Sequence, residues 1–97
     1  MDIRFQHRGT TFVWNAVKAS ANLAKHGVSF EEAATVFDDP LLVVQDASRN
    51  DQPRDAVIGF DIHTRLLFVV YIEIQDNGLR IISARRATRK EEAIYAQ

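Results

Sequence analysis

Residues Arg54–Arg86 read RDAVIGFDIHTRLLFVVYIEIQDNGLRIISARR, and the fold turns on this stretch. It contains three strand-like runs. Across Arg54–Ile62, Ala56, Ile58, Phe60 and Ile62 fall on one side, and Asp55, Val57, Gly59 and Asp61 on the other. Leu66–Ile74 is apolar at successive positions, as expected of a central strand covered on both faces. Leu79–Arg85 is the third run. His63-Thr64 is a two-residue turn without the preferred glycine, and Gln75–Gly78 is a turn containing Asn77-Gly78. Connections this short imply antiparallel neighbours. A fourth run, Leu41–Ala47, precedes these three, with a polar turn over Ser48–Pro53 between.

On the N-terminal side, Ala16–His26 is rich in helix formers, and Asn15 is placed to cap it. Gly27 stands at the left-handed stop, with Lys25 and His26 in the last turn, where His26 reads as a capping residue. Ser29 and Glu32 have capping-box spacing for a second helix. Its stripe of Phe30, Ala33, Ala34 and Phe37 runs up to Asp39-Pro40. Thr88 and Glu91 repeat the box before a C-terminal helix ending near Ala96. Further upstream, Ile3 and Phe5 alternate with polar residues, and Phe12-Val13-Trp14 is a second short extended piece. The expected fold is therefore α+β, with the order β-α-α-β-β-β-β-α. An N-terminal αα-hairpin and a C-terminal helix pack on a four-stranded antiparallel meander. The meander becomes five-stranded if residues 1–11 add an edge strand.

Ninety-seven residues suit one domain, and no cysteine is available for disulfide or thiolate chemistry. No apolar run approaches the roughly 18–20 residues of a membrane-spanning helix, and Met1–Thr10 lacks the apolar core of a signal peptide. These features point to a soluble cytoplasmic protein. The net charge of −1 argues against coating nucleic acid non-specifically. Its distribution says more. Arg80, Arg85, Arg86, Arg89 and Lys90 lie in a segment with no acidic residue, so the rest of the chain carries −6. Such a stripe meets phosphates or an acidic partner, or is simply a solvated face.

Familiar catalytic signatures are missing. His7, His26 and His63 lack zinc-helix spacing, and there is neither a phosphate-binding P-loop nor a G-x-S-x-G elbow. Asp38-Asp39 reads as a turn former. What remains is a set of arginines around a sheet and one strand-end carboxylate, Glu73. Such a set suits RNA cleavage, because RNA carries its own nucleophile in the 2′-hydroxyl. The protein must align that group, stabilise charge on the phosphate and assist proton transfer. Glu73 and Lys18 are candidates for the last task, although a glutamate beside arginines is a weakened base.

Several strings carry a family resemblance. They are Phe12-Val13-Trp14-Asn15 with Lys18; Asn22-Leu23-Ala24-Lys25-His26-Gly27-Val28-Ser29-Phe30-Glu31-Glu32-Ala33; and Val36-Phe37-Asp38-Asp39-Pro40. Further along come Arg54 with Gly59, Tyr71-Ile72-Glu73, and Arg80-Ile81-Ile82-Ser83-Ala84-Arg85-Arg86-Ala87-Thr88. In this order they resemble the BrnT toxins of type II toxin–antitoxin systems, over about Phe12 to Tyr95. The resemblance implies a RelE-like fold and metal-independent endoribonuclease activity that arrests growth, with no cofactor. It also implies a BrnA-like ribbon-helix-helix antitoxin as partner, in a heterotetramer that reaches operator DNA through the antitoxin. The implied catalytic positions are Lys18, Arg54, Glu73, Arg80 and Arg85, with Arg86, Arg89 and Lys90 as RNA contacts. Arg54 and Arg80 would bind phosphate, and Lys18 or Glu73 would move the proton.

Two departures matter. The family usually carries arginine after the central-strand glutamate, where Ile74 stands here, and glutamate before the arginine matched by Arg54, where Pro53 stands. One lost electrostatic contact can cost on the order of 100-fold in rate. The alternative function is thus a weakened or inactive member retained as an antitoxin-binding co-repressor. There is also a geometric condition. Arg80 and Arg85 are five positions apart and point to opposite faces of a regular strand, so one site needs a bulge or a strand end between them.

Overall fold

A computed structural model describes residues 1–97. Strands β1 (Asp2–His7) and β2 (Thr10–Asn15) form a hairpin, followed by helix α1 (Ala16–His26) and the short helix α2 (Phe30–Ala34). A single 3-10 turn over Thr35–Asp38 leads to β3 (Val43–Asp46), β4 (Asp55–Phe60), β5 (Leu66–Ile74), β6 (Gly78–Arg86) and helix α3 (Arg89–Tyr95).

Local signals act where the sequence places them. The Asn15 side chain accepts from the Lys18 N–H at 3.0 Å, and Gly27 adopts φ 71° with its N–H on the Leu23 carbonyl. Ser29/Glu32 and Thr88/Glu91 both form complete capping boxes. The β1–β2 hairpin turns on Arg8 and Gly9, both at positive φ, which suits the twist of a two-residue connection.

The sheet differs from the expectation. It has six strands in the order β1-β2-β6-β5-β4-β3 and is mixed, because β2 runs parallel to β6 through Phe12–Leu79 and Val13–Arg80. The element order is β-β-α-α-β-β-β-β-α, not β-α-α-β-β-β-β-α. Short connections do give antiparallel pairs from β3 to β6. They say nothing of β2, whose second neighbour arrives more than sixty residues later in the chain. Nor is there an αα-hairpin. The second helix tightens into the 3-10 turn after Ala34, and α1 and α2 each pack on β6 rather than chiefly on each other.

One face of the sheet is covered. Phe12, Trp14, Val57, Leu67, Val69, Tyr71, Ile81 and Ala84 meet Val28, Phe30, Ala33, Ala34 and Val36 from the helical layer. Asn22 is buried there with its polar atoms matched. It donates to the carbonyls of Val28 (3.1 Å) and Ala84 (2.8 Å) and accepts from the Ala84 N–H (3.1 Å). This clamps α1 to the middle of β6. The β4–β5 turn, where glycine is missing, is built instead by Asp61. Its carboxylate accepts from the N–H groups of His63 and Arg65 and from the Arg65 guanidinium.

Helix α3 folds onto the other face at its β4 end. The Tyr95 ring stands edge-on to Phe60 at 5.3 Å, and its hydroxyl donates to Asp39 at 2.7 Å. Asp39 also accepts from the Phe60 N–H, which short β3 does not reach. The rest of that face stays open.

Candidate functional site

The open face is built by a bulge. Val70 pairs with Ser83, but Tyr71 pairs with Ile81, so Ile82 is the extra residue on β6. Ile81 and Ala84 consequently both turn into the core, and Arg80 and Arg85 both turn to the open face. The condition set by their odd spacing is met inside the strand. Val13 and Ile72 pair with Arg80 on its two sides, and Arg4 pairs with Val13, so Arg4 and Arg80 share one cross-sheet row. Arg54 extends the row, since it precedes Asp55, whose partner Tyr71 precedes Ile72.

Two hollows flank Arg54. One, of about 260 Å³, is lined by Arg49, Arg54, Ser83 and Arg85 over Ala47, Phe68 and Val70. The other, of about 240 Å³, is lined by Arg54, Ser48, Pro53, Asp55, Ile72 and Glu73. Arg54 is thus shared. Its Nη2 donates to the Gln52 side chain at 3.1 Å, while its Nε is buried and has no partner. No other buried side-chain nitrogen or oxygen is left unmatched. An unmatched buried donor costs roughly 1–3 kcal/mol.

The remaining sequence candidates divide. Arg80 is ion-paired to Asp2 at 2.9 Å, and that hydrogen bond holds the half-exposed Asp2 carboxyl below the usual range. Arg85 is more tightly held. Glu91 takes both its terminal nitrogens, at 2.8 and 2.9 Å, and its guanidinium lies 4.4 Å over the Phe68 ring. The Arg85 hydrogen bonds in turn lower the Glu91 pKa. Glu73 is exposed at the end of β5, and its cavity joins it to Arg54. It stands near Tyr71, whose pKa is raised by burial and then by the charges of Asp55 and Glu73. Lys18 is not brought to this site. It is exposed in the first turn of α1, which packs against the covered side, and it lines neither hollow. Arg86, Arg89 and Lys90 are exposed at the end of β6 and on α3, and Arg86 lines a separate hollow with Phe60, Leu66 and Tyr95. They continue the positive charge beyond Arg85 without entering the Arg54 cavities.

Arg4 and Arg49 were not singled out by the sequence, and neither was Glu91 as a partner of Arg85. Arg49 sits on a hairpin tip, where Asn50 and Asp51 both have positive φ and Arg49 and Gln52 exchange backbone hydrogen bonds. The Asn50-Asp51 pair was the available signal for that tip. No group of three or more His, Cys, Asp or Glu side chains is placed to hold a metal ion.

Residues 14–91 match the family model described as the ribonuclease toxin BrnT of type II toxin–antitoxin systems. Among solved structures, the crystal structure of the Brucella abortus ribonuclease toxin BrnT aligns with a TM-score of 0.61 at 24% identity, over 78% of this chain and 94% of that one. At that identity it supports the fold alone. No curated protein sequence matches the chain.

Proposed function

This chain belongs to the family of BrnT ribonuclease toxins of type II toxin–antitoxin systems, and we propose that it cuts RNA on the open sheet face without a metal ion. The phosphate lies between Arg54 and Arg80, which share that face and flank Ile72. Their guanidinium groups stabilise the charge that builds on the phosphoryl oxygens. The 2′-oxygen attacks phosphorus and gives its proton to Glu73, the carboxylate in the Arg54 cavity. The bond to the 5′-oxygen breaks, that oxygen takes a proton from water, and a 2′,3′-cyclic phosphate remains. Glu73 alternates with Ile72 and so leaves β5 on the covered side, but it is exposed at the strand end and shares the Arg54 hollow, whereas Lys18 lines neither hollow. The observation that carries this reading is that Arg54 lines both hollows, one of which also holds Glu73.

As a type II system toxin the protein has an antitoxin partner. We propose a BrnA-like ribbon-helix-helix protein, assembled with it as a heterotetramer that represses its operon, in the cytoplasm where the RNA is. No helix is long and apolar enough to cross a membrane. A co-repressor without catalysis is the second reading. It is favoured by Ile74 and Pro53, and by the ion pairs that already engage Arg80 and Arg85. Incubating the purified protein with end-labelled single-stranded RNA in EDTA separates the two. Fragments with cyclic-phosphate ends are the expected result. Intact RNA, with and without ribosomes, favours the co-repressor.

A further inference from the structure

The two hollows beside Arg54 differ in chemistry. The one containing Glu73 and Asp55 is polar and suits a ribose and its phosphate. The one containing Arg49 and Ser83 has an apolar floor of Phe68, Val70 and Ala47, and no acidic residue lines it. Arg85 contributes little free charge there. Glu91 neutralises it through two hydrogen bonds, and the Arg85 guanidinium carbon lies 4.4 Å from the centre of the Phe68 ring. A flat guanidinium held in this way is a stacking platform of the kind that takes an unstacked RNA base. The groups left for recognition are the Arg49 guanidinium and the Ser83 hydroxyl, neither of which makes a side-chain hydrogen bond or ion pair within the protein. Arg49 presents only donors.

We propose that this 260 Å³ hollow is a nucleobase subsite that selects guanine next to the cleaved phosphate, with Arg49 as the reading residue. The ligand must be flat and apolar on its faces, to rest on Val70 and on the Arg85 guanidinium that lies over Phe68. Its edge must be rich in acceptors. Guanine presents O6 and N7 side by side, the pair that an arginine fork grips with two hydrogen bonds. Adenine and cytosine place an amino donor on that edge, facing a guanidinium that cannot accept. Because Arg54 lines both hollows, a base in one belongs to the nucleotide whose phosphate lies in the other. The subsite rests on the reading of this face as an RNA-cleaving surface, but base selection and cleavage are read separately.

The test uses 2′-fluoro RNA decamers, which lack the nucleophile: one all adenine, one with a single central guanine. Fluorescence anisotropy gives the affinity of each. The expected result is binding of the guanine decamer roughly tenfold tighter by the wild type. Arg49→Ala should bring the ratio close to one, and Ser83→Ala should lower it less. Arg49 is exposed at a hairpin tip, so its replacement leaves the fold intact, which circular dichroism checks. Equal binding of both decamers by the wild type overturns the subsite. A ratio that persists in Arg49→Ala overturns it too, since the reader would then lie elsewhere. The ordinary ribonucleotide versions are assayed for cleavage in parallel. Cleavage without discrimination leaves the nuclease standing and removes the subsite. Discrimination without cleavage leaves the subsite and removes the nuclease.

Discussion

The two faces of this sheet follow opposite rules. Under the helices, apolar side chains close on one another, and the one buried amide, Asn22, has its polar atoms matched. On the open face, five arginines gather from β1, β6 and the β3–β4 connection. One of them keeps a buried donor with no partner. The first arrangement lowers the energy of the fold. The second spends some of that energy to hold a charge pattern in place. The contrast teaches that stability and surface charge are assigned to different sides of the same strands. β6 shows this most directly. Ile81 and Ala84 serve the core, Arg80 and Arg85 the surface, and the single extra residue Ile82 makes both possible.

Substitutions on the covered face should break the protein without addressing its chemistry. The largest effect is expected from Trp14→Ala, which empties a fully buried site between Phe5 and Phe30. A loss of about 3–5 kcal/mol in urea unfolding is expected. A loss below 1 kcal/mol would mean that this face is not the core. Asn22→Ala comes next, at about 2–3 kcal/mol, because it strands the N–H and carbonyl of Ala84. An unchanged midpoint would show that the clamp on β6 is dispensable.

Smaller effects sharpen the boundary between the faces. Glu32 is drawn down to about 2, first by the Ser29 backbone hydrogen bond and then by the Ser29 hydroxyl and Arg65, with burial opposing. A depressed carboxylate stabilises the fold above its ordinary value of 4.5 and stops doing so as pH falls toward about 2. Stability measured across that window should drop in the wild type and drop less in Glu32→Gln. Parallel curves would remove Glu32 from the account. Tyr95 is the alkaline counterpart. Its hydrogen bond to Asp39 pushes its pKa up to about 12, so its contribution is present below pH 10 and is lost as pH rises through the folded value. Tyr95→Phe should cost about 1 kcal/mol near neutrality and leave RNA cleavage unchanged, since the ring still packs on Phe60. Loss of cleavage in that variant would tie α3 to the chemistry.

The features legible in the sequence were those with local causes. Helix α1 spans Ala16–His26 as its Asn15 cap and Gly27 stop require, and β5 spans Leu66–Ile74 as a run apolar on both faces up to Ile72 requires. The alternation of Ile3 and Phe5 does mark a strand, packed against the core. What could not be read was non-local. Nothing near Phe12-Val13-Trp14 announces that its neighbour is Leu79-Arg80, so the parallel pair and the six-stranded order were missed. The second helix ends at Ala34, short of its apolar stripe, because Phe30, Ala33, Ala34 and Phe37 fit an α-helix and a tightening turn equally well over so few residues. At the site, the odd spacing of Arg80 and Arg85 stated the problem correctly, but the bulge that solves it depends on pairing with β5. Glu91 read as a capping-box residue and is one. Its second duty, holding Arg85, becomes visible only once α3 is folded against the sheet.

The most direct test measures two quantities on one preparation each of wild type, Arg54→Ala and Arg80→Ala: the rate of RNA cleavage in EDTA and the free energy of unfolding. The account predicts that each variant loses on the order of 100-fold or more in rate. It predicts little change in stability for either, because Arg54 gives up an unmatched donor and the Arg80–Asp2 pair is partly exposed. Variants that unfold readily, or that cleave as fast as the wild type, would contradict the assignment of RNA chemistry to the open face.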